Sequence, residues 1–359
     1  MTVLSAEAPA RTVGPHDRAI GLWLLACAAM IFAMAVIGAI TRLTESGLSI
    51  MEWAPVIGAL PPLDEAEWRR LFALYQEIPE YKEENLGMTL AEFKTIFWWE
   101  WVHRLWGRLI GVVFALPFLW FLLRRRIGRG LAPHLVAMFV LGGLQGALGW
   151  YMVASGFTER TDVSQYRLVA HLGLAAGIYG YVLWIALRLL DPAPPWSRDP
   201  RAPRLRGLLV GLAALAALTM ASGGFVAGLN AGFIYNTFPL MDGRLIPEGY
   251  GALSPVILNA FETVEAVQFN HRALATASLI AVLALWLWSR RLDLAPDARR
   301  ALELACAMLG VQFGLGVAAL ILVVPVWLGA LHQAGALLLF SLVLWAIHRL
   351  RPAPGSSRA

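Results

Sequence analysis

Four of the seven histidines recur at matched places in the two halves of the chain. Each lies at one end of a long apolar segment, where ionisable side chains usually face the interior of a helix bundle. Neutral imidazole is a common metal ligand, and neither cysteine nor carboxylate accompanies the set in both halves, which disfavours zinc and di-iron. Because two axial imidazoles suit a haem iron, the pattern predicts two bis-histidine haem sites, formed by His103 with His171 and by His271 with His332.

The alternative for any single histidine is a hydrogen-bonded interface residue, and it is the repetition in register that favours ligation. The other three histidines do not repeat in this way. His16, His134 and His348 lie among arginines at the opposite ends of the apolar segments. We expect these three side chains to be solvated or to face lipid headgroups.

Arginine and glutamine accompany the repeated histidines. Arg104 and Arg272 directly follow the first histidine of each half. Each can bind haem propionates through charge-assisted hydrogen bonds or extend to the headgroups. Gln145 and Gln312 are polar residues inside apolar segments, where we expect hydrogen bonds across helices; a pocket role at the haem is the alternative.

The two halves differ at one position that lies close to a histidine. Glu100 precedes His103 by three residues, so the two share a helix face. The corresponding residue before His271 is Gln268. An acid in one half and an amide in the other indicates that the first half carries out chemistry while the second holds a permanent cofactor. The alternative is that Glu100 caps a helix or meets a nearby arginine.

The elements that position these residues are membrane helices. Hydrophobic residues form 58% of the 359 residues and charged residues 15%, whereas a membrane span needs about 20 mostly apolar residues. Lipid offers the backbone no hydrogen-bond partners, which requires helices. Eight segments qualify, at about 20–40, 105–123, 133–154, 168–190, 207–229, 272–288, 301–324 and 326–347.

Arginines mark every second connection, as the positive-inside rule expects of cytoplasmic loops. They follow the second, fourth, sixth and eighth segments: Arg124, Arg125, Arg126 and Arg129; Arg198, Arg201, Arg204 and Arg206; Arg290, Arg291, Arg299 and Arg300; and Arg349 and Arg351. Both termini are therefore predicted to be cytoplasmic, and the loops at 42–102, 155–167 and 230–270 and the turn near Pro325 periplasmic. The formal charge of +5 thus reflects topology and does not indicate binding to nucleic acid.

The order of motifs indicates an internal repeat of four spans. LQGALG (144–149) lies between the histidines of the first half, and VQFGLG (311–316) lies between those of the second. Repeats of an even number of spans share one orientation and are related by an axis along the membrane normal. The predicted fold is an all-α polytopic membrane protein with two pseudo-two-fold-related four-helix bundles. Its predicted divisions are a tail (1–18), the N-terminal bundle (19–190), a cytoplasmic linker (191–206), the C-terminal bundle (207–348) and a tail (349–359).

The long outer loop at 42–102 should contain two short amphipathic helices. One begins near Asp64, and the other begins at Thr89, where Glu92 completes a capping box. Connections of this length are usually functional, and this one is predicted to cover the first haem site.

Two long motifs, GLSIMEWAPVIGALPPL (47–63) and GMTLAEFKTIFWWEWVHRLWGRLIG (87–111), together with the paired histidines, make the chain similar to the haem A synthase family of the proteobacterial and mitochondrial type. The resemblance covers about residues 18–350. It implies oxidation of a ring methyl of haem O to the formyl group of haem A, used by cytochrome oxidase. It further implies that the N-terminal half holds the substrate haem and the C-terminal half a haem b, with the family's Glu-x-x-His falling on Glu100 and His103. The cysteine pair of a related type is missing from the first outer loop, so no disulfide chemistry is expected there.

Two routes to the formyl group remain open. An iron with two imidazole ligands has no position for oxygen, so either one ligand leaves or electrons are withdrawn from the macrocycle and water supplies the oxygen. In the second route, Glu100 either stabilises a cation at the methyl carbon or acts as a general base toward the water.

The resemblance also implies partners and a location. Haem O synthase, cytochrome oxidase assembly factors and an electron-transfer partner are expected, and a homo-oligomer remains open. Lysine occurs only at Lys82 and Lys94 beside many arginines, a bias that favours a bacterial plasma membrane over a mitochondrion. Two other functions compete with this interpretation: a dihaem b-type electron carrier without chemistry of its own, and a duplicated transporter.

Overall fold

The computed structural model describes residues 15–54, 57–157, 160–192 and 197–350. Its regular elements in these ranges are all helices, and eight of them are long and apolar enough to cross a membrane. The predictions of an all-α fold and of eight spans are therefore confirmed. Residues 1–14, 193–196 and 351–359, which include parts of the predicted tails and linker, lie outside the described ranges.

The helices are numbered here in chain order. They are α1 (Asp17–Leu43), α2 (Glu65–Tyr75), α3 (Pro79–Glu83), α4 (Leu90–Leu123), α5 (Ala132–Val153), α6 (Gln165–Leu190), α7 (Ala202–Gly228), α8 (Asn259–Glu262), α9 (Val264–Ser289), α10 (Pro296–Ile321) and α11 (Val326–Arg349). The eight long helices are α1, α4, α5, α6, α7, α9, α10 and α11.

The long helices form two circuits of four. In the first circuit, α1 and α5 each contact α4 and α6. In the second, α7 and α10 each contact α9 and α11. The circuits meet where α6 packs against α7 and α11, and where α1 packs against α11. The two-fold relation between the halves, their boundaries and the side of the membrane on which the termini lie stay predictions.

Each circuit has its own apolar core. Ile20, Leu24 and Leu135 are fully buried in the first, and Leu205 and Leu350 in the second. Between membrane helices such side chains stabilise the fold through van der Waals packing. This packing fixes the helices of each circuit relative to one another. The five residues named lie near the helix ends opposite to those that carry the histidines.

The helix α4 is continuous from the outer loop into the membrane and contains 34 residues. The hydroxyl of Thr89 accepts a hydrogen bond from the backbone of Glu92, whose carboxylate accepts one from the backbone of Thr89. The predicted capping box is thus confirmed. Asp64 caps α2 by accepting from the backbone of Glu67 at 2.8 Å, so the predicted start of the first loop helix is also confirmed.

Loop helix α2 is held on the start of α4 by an aromatic cluster. Tyr75 and Phe93 are fully buried, with ring centroids 5.3 Å apart. Trp68 meets Phe97 edge to face at 4.8 Å. Aromatic pairs of this kind add about 0.5–1.5 kcal/mol to the burial of their area. The loop is consequently a packed part of the first half.

Candidate functional site

The two histidines of each half come from opposite corners of a helix circuit. His103 lies on α4 and His171 on α6, which are both contacted by α1 and α5. His271 lies on α9 and His332 on α11, which are both contacted by α7 and α10. The ends that carry these four residues are called the histidine side below, and the opposite ends are called the arginine side.

The imidazoles of each half approach one another across the interior. The ring centroids of His271 and His332 are 6.4 Å apart, and the rings are nearly perpendicular at 85°. His103 and His171 are close enough to interact electrostatically. A metal–imidazole bond is about 2 Å long, so two rings on one metal have centroids about 6 Å apart. The C-terminal pair therefore has a separation that fits one shared iron.

A glycine on the adjacent helix lies against each of the four imidazoles. A β-carbon built on that glycine would lie closer to the Cε1 atom of the ring than ordinary van der Waals contact allows. The distances are 3.0 Å for Gly38 and His103, 2.9 Å for Gly149 and His171, 3.0 Å for Gly223 and His271, and 2.8 Å for Gly316 and His332. Sequence reasoning did not predict this contact, although Gly149 and Gly316 end the repeated motifs LQGALG and VQFGLG, which was the signal that could have found it.

Glutamine and serine hydrogen bonds further fix three of the rings. The amide nitrogen of Gln312 is 3.1 Å from Nδ1 of His332 and donates to the backbone oxygen of His332 at 2.9 Å. Gln145 Nε2 lies 3.2 Å from both ring nitrogens of His171. The expected hydrogen bonds across helices are confirmed for both glutamines. Metal-bound histidines usually have their second ring nitrogen held in this way.

The remaining two histidines differ in how Nδ1 is satisfied. The hydroxyl of Ser222 lies 2.8 Å from Nδ1 of His271. Nδ1 of His103 is buried and has no hydrogen-bond partner in the described part of the chain. A buried nitrogen without a partner costs about 1–3 kcal/mol, so His103 is the imidazole whose burial is least compensated by protein contacts.

Glu100 is buried, with 3% of its surface exposed, and both carboxylate oxygens accept hydrogen bonds. One oxygen accepts from the Ser49 hydroxyl and the backbone nitrogen of Ile50, each at 2.7 Å. The other forms an ion pair with Arg104 at 2.5 Å. The acid thus binds the loop that follows α1 through that loop's donors.

Gln268 occupies the matching place in the second half, but it donates hydrogen bonds to its loop, whereas Glu100 accepts them. It is 2% exposed, and its amide nitrogen donates to the backbone oxygens of Ala231 at 2.7 Å and Ile234 at 2.5 Å. Its oxygen accepts from Arg272 at 2.9 Å. The acid therefore lies where the neighbouring loop presents hydrogen-bond donors, and the amide lies where the loop presents acceptors.

Both predicted propionate-binding arginines hold loop backbone. Arg104 donates to the backbone oxygens of Ile50 at 2.7 Å and Glu52 at 3.1 Å. Arg272 donates to those of Tyr235 at 2.6 Å and Thr237 at 2.8 Å. These contacts give the arginines a structural role beside the predicted one, and propionate binding stays a prediction.

A buried acid in the outer loop was missed by sequence reasoning. Glu80 on α3 is 5% exposed, and its Oε2 atom has no hydrogen-bond partner in the described residues. Burial, reinforced by the negative charges of Asp162, Glu100, Glu45 and Glu84, raises the pKa of Glu80 to about 9. The short helix that carries it has no apolar periodicity of its own, so no pattern in the sequence marked Glu80 as buried.

One expectation about the other histidines is wrong. His348 was expected to be solvated, yet it is 1% exposed and lies 3.0 Å from the backbone oxygen of Asp191. The reason is that the chain after α6 packs against the end of α11. His134 is partly buried, and its Nδ1 atom lies 2.6 Å from the Tyr181 hydroxyl.

The donor set fits haem better than a metal ion bound by protein alone. Within the described residues, no group of three or more His, Cys, Asp or Glu side chains could hold a metal ion. A haem iron takes four ligands from its porphyrin and only two from protein. Paired imidazoles in an apolar interior, backed by glycine and amide contacts, meet that requirement.

The fold and these paired imidazoles define a class, the multi-pass helical membrane proteins with histidine pairs buried between opposite helices. A family model described as cytochrome oxidase assembly protein (COX15-CtaA) matches residues 21–344. The chain belongs to this family.

Curated bacterial relatives agree with the family match over nearly the whole chain. A protein named heme A synthase from Rhodospirillum centenum is 53% identical over 355 residues, which cover 98% of this chain and 94% of that relative. Proteins of the same name from Nitrosospira multiformis and Parvibaculum lavamentivorans are 51% and 50% identical over 338 residues each, with 93% of this chain covered. With eight spans, the chain is a bacterial multi-pass membrane protein.

Proposed function

We propose that the protein is a haem A synthase of a bacterial plasma membrane, which oxidises a ring methyl of haem O to a formyl group. The observation that carries the proposal is the pairing of imidazoles from opposite helices in each half, in a chain about half identical to proteins named heme A synthase. Both termini would be cytoplasmic and the histidine side periplasmic.

The two halves take different roles in this proposal. His103 and His171 bind the substrate haem, and His271 and His332 bind a haem b. When bound, haem b supplies reversible one-electron transfer. The chain's contribution in the second half is rigid support, since Gln312 and Ser222 hold two imidazoles and Gly316 leaves them room.

The reaction removes four electrons and four protons from the methyl group and one water molecule. The electrons require an electron-transfer partner. Glu100 lies one helical turn from His103, at the edge of the first site. Because both of its oxygens already accept hydrogen bonds from fixed donors, Glu100 suits a stationary negative charge beside a developing cation better than a base that must take up a proton.

The outer loop has a positioning role. Arg104 links Glu100 to the backbone at 50–52, and the cluster around Tyr75 and Phe93 fixes the rest of the loop on α4. A loop held at so many points can exclude water from the first site, which strengthens electrostatic interactions inside it.

The experiment is co-expression with a haem O synthase, followed by extraction and chromatography of the haems. Haem A should accumulate with the wild-type chain and not with Glu100→Gln. Ser49→Ala is the matched control, because it removes one donor to the carboxylate and leaves the acid in place. Haem A at equal yield from Glu100→Gln would refute the role of Glu100. Bound haem without any haem A from the wild type would favour the dihaem electron carrier, and no bound haem would favour the transporter.

A further inference from the structure

The arginine side of the first circuit contains a cavity that the proposed reaction does not use. Its volume is about 660 Å³, and it lies where all four helices of the circuit begin or end. The charged and titratable residues that line it are Arg125, Arg126, Arg188, His16, His134 and Asp17. Arg188 and Asp17 each have an interaction partner, so the guanidiniums of Arg125 and Arg126 are the charges that make the cavity suited to an anion.

Two helix N-termini add to this positive potential. The helices α1 and α5 both begin at the cavity, and neither has a side-chain cap. The dipole of each helix makes its N-terminus attractive to anions such as phosphate. At α5 the dipole is the main contribution, because the Ala132 N–H donates to the backbone oxygen of Gly128 and Pro133 has no N–H.

Two consecutive arginines after α4, Arg125 and Arg126, line the cavity. Arg125 follows the end of α4 with φ of 52°, in the left-handed region where glycine is the usual residue. Its side chain nevertheless lines the cavity. The neighbouring Arg126 lies over the Trp120 ring at 4.6 Å, and tryptophan is enriched at membrane–water interfaces.

The matching end of the second circuit is arranged differently. There Asp199 accepts from Arg201 at 2.8 Å and from the backbone nitrogen of Asp293 at 3.1 Å. The hydrogen bond from Asp293 thus links the linker to the loop after α9, and the ion pair between Asp199 and Arg201 lies within the linker.

We propose that this cavity binds a phosphate group, supplied by the headgroup of an anionic membrane lipid such as phosphatidylglycerol. Basic pockets between membrane helices are suited to lipid headgroups of this kind. A bound lipid bridges the ends of α1, α4, α5 and α6 and so stabilises the half that holds the substrate haem.

The first test uses a charge placed inside the cavity. Gly130 lines it, and a β-carbon there would meet no atom within 4 Å. Gly130→Glu therefore adds a negative charge with little steric effect, and Gly130→Gln is its neutral match. Native mass spectrometry in neutral detergent with added phosphatidylglycerol should show about fivefold weaker binding for Gly130→Glu than for Gly130→Gln.

The second test removes positive charge with a matched control. Arg125→Gln/Arg126→Gln should weaken phosphatidylglycerol binding about 25-fold. Arg290→Gln/Arg291→Gln removes the same charge after α9, including an arginine that lies over a tryptophan ring, and should bind like the wild type. Thermal unfolding in phosphatidylcholine nanodiscs identifies any variant that has failed to fold. If a double variant has failed to fold, the comparison of Gly130→Glu with Gly130→Gln decides whether the cavity binds the lipid.

A third arm distinguishes the source of the phosphate. Inorganic phosphate is added to the same proteins in phosphatidylcholine nanodiscs. If inorganic phosphate stabilises the proteins, and does so less for Gly130→Glu and Arg125→Gln/Arg126→Gln than for their controls, the site binds a soluble phosphate and the lipid is overturned as its source. Stabilisation by phosphatidylglycerol alone supports the proposal. Equal responses of Gly130→Glu and Gly130→Gln, or of the two double variants, overturn the site itself.

Discussion

The contact between Gly316 and His332 allows a sharp prediction about haem retention. An alanine methyl at 316 would lie 2.8 Å from Cε1 of His332, whereas ordinary van der Waals contact begins at 3.4 Å. The ring must therefore retreat by the difference, about 0.6 Å, while metal–ligand bonds tolerate about 0.2 Å. Gln312, one turn before Gly316 on the same helix, lies 3.1 Å from Nδ1 of the ring, so a retreat from position 316 also lengthens that hydrogen bond. Overpacking of this kind costs about 1–3 kcal/mol, which is about 5- to 150-fold in affinity for the haem.

The matched control is Gly314→Ala on the same helix. A β-carbon at Gly314 would meet no atom within 4 Å, and both substitutions change helix propensity by the same amount. The assay is the haem content per polypeptide, with the low-spin electron paramagnetic resonance signal of the ferric protein. Gly316→Ala should lose or weaken one bis-histidine signal, and Gly314→Ala should keep it. Equal haem content and equal signals in the two variants would refute the reasoning.

Three further outcomes are expected. Glu80 keeps its proton in the folded state up to about pH 9 but loses it near 4.5 when unfolded. The stability that it contributes is therefore complete below pH 4.5 and is lost as the pH rises to 9. The free energy of unfolding of Glu80→Gln should depend less on pH and be higher than that of the wild type by up to about 3 kcal/mol at pH 7; identical dependence on pH in the two proteins would contradict this. In Gln268→Glu a carboxylate would face two backbone oxygens, so the free energy of unfolding should fall by about 3 kcal/mol. Backbone hydrogen exchange at 231–237 should become faster, and an unchanged exchange rate would argue against this explanation. Ser49→Ala should cost about 1.5–3 kcal/mol through Glu100, and a thermal midpoint equal to that of the wild type would disprove this.

The sequence was sufficient for the features that follow from local physics. Eight apolar segments had to be helices because lipid offers the backbone no partner, and the Thr89 capping box fixed the start of α4. The repeat of the four histidines also placed them at one end of their helices. The apolar segments and the capping box depend on residues that are near one another in the chain, whereas the histidine positions follow from comparing the two repeats.

Features that depend on tertiary contacts escaped sequence reasoning. His348 is buried because the chain after α6 reaches it, and its neighbours in sequence are arginines that suggested exposure. Whether a loop presents backbone N–H groups to Glu100 or backbone oxygens to Gln268 depends on the conformation of that loop, which includes a left-handed Asn230 in the second half. No periodicity encodes which backbone atoms a loop presents.

The central claim is that each half binds one haem through its own histidine pair, and haem stoichiometry tests it most directly. Protein purified after co-expression with a haem O synthase should carry two haems per polypeptide, both with low-spin bis-imidazole spectra. His332→Ala should leave one haem, ligated by His103 and His171. A wild-type protein with a single haem, or a His332→Ala variant that keeps both, would contradict the account.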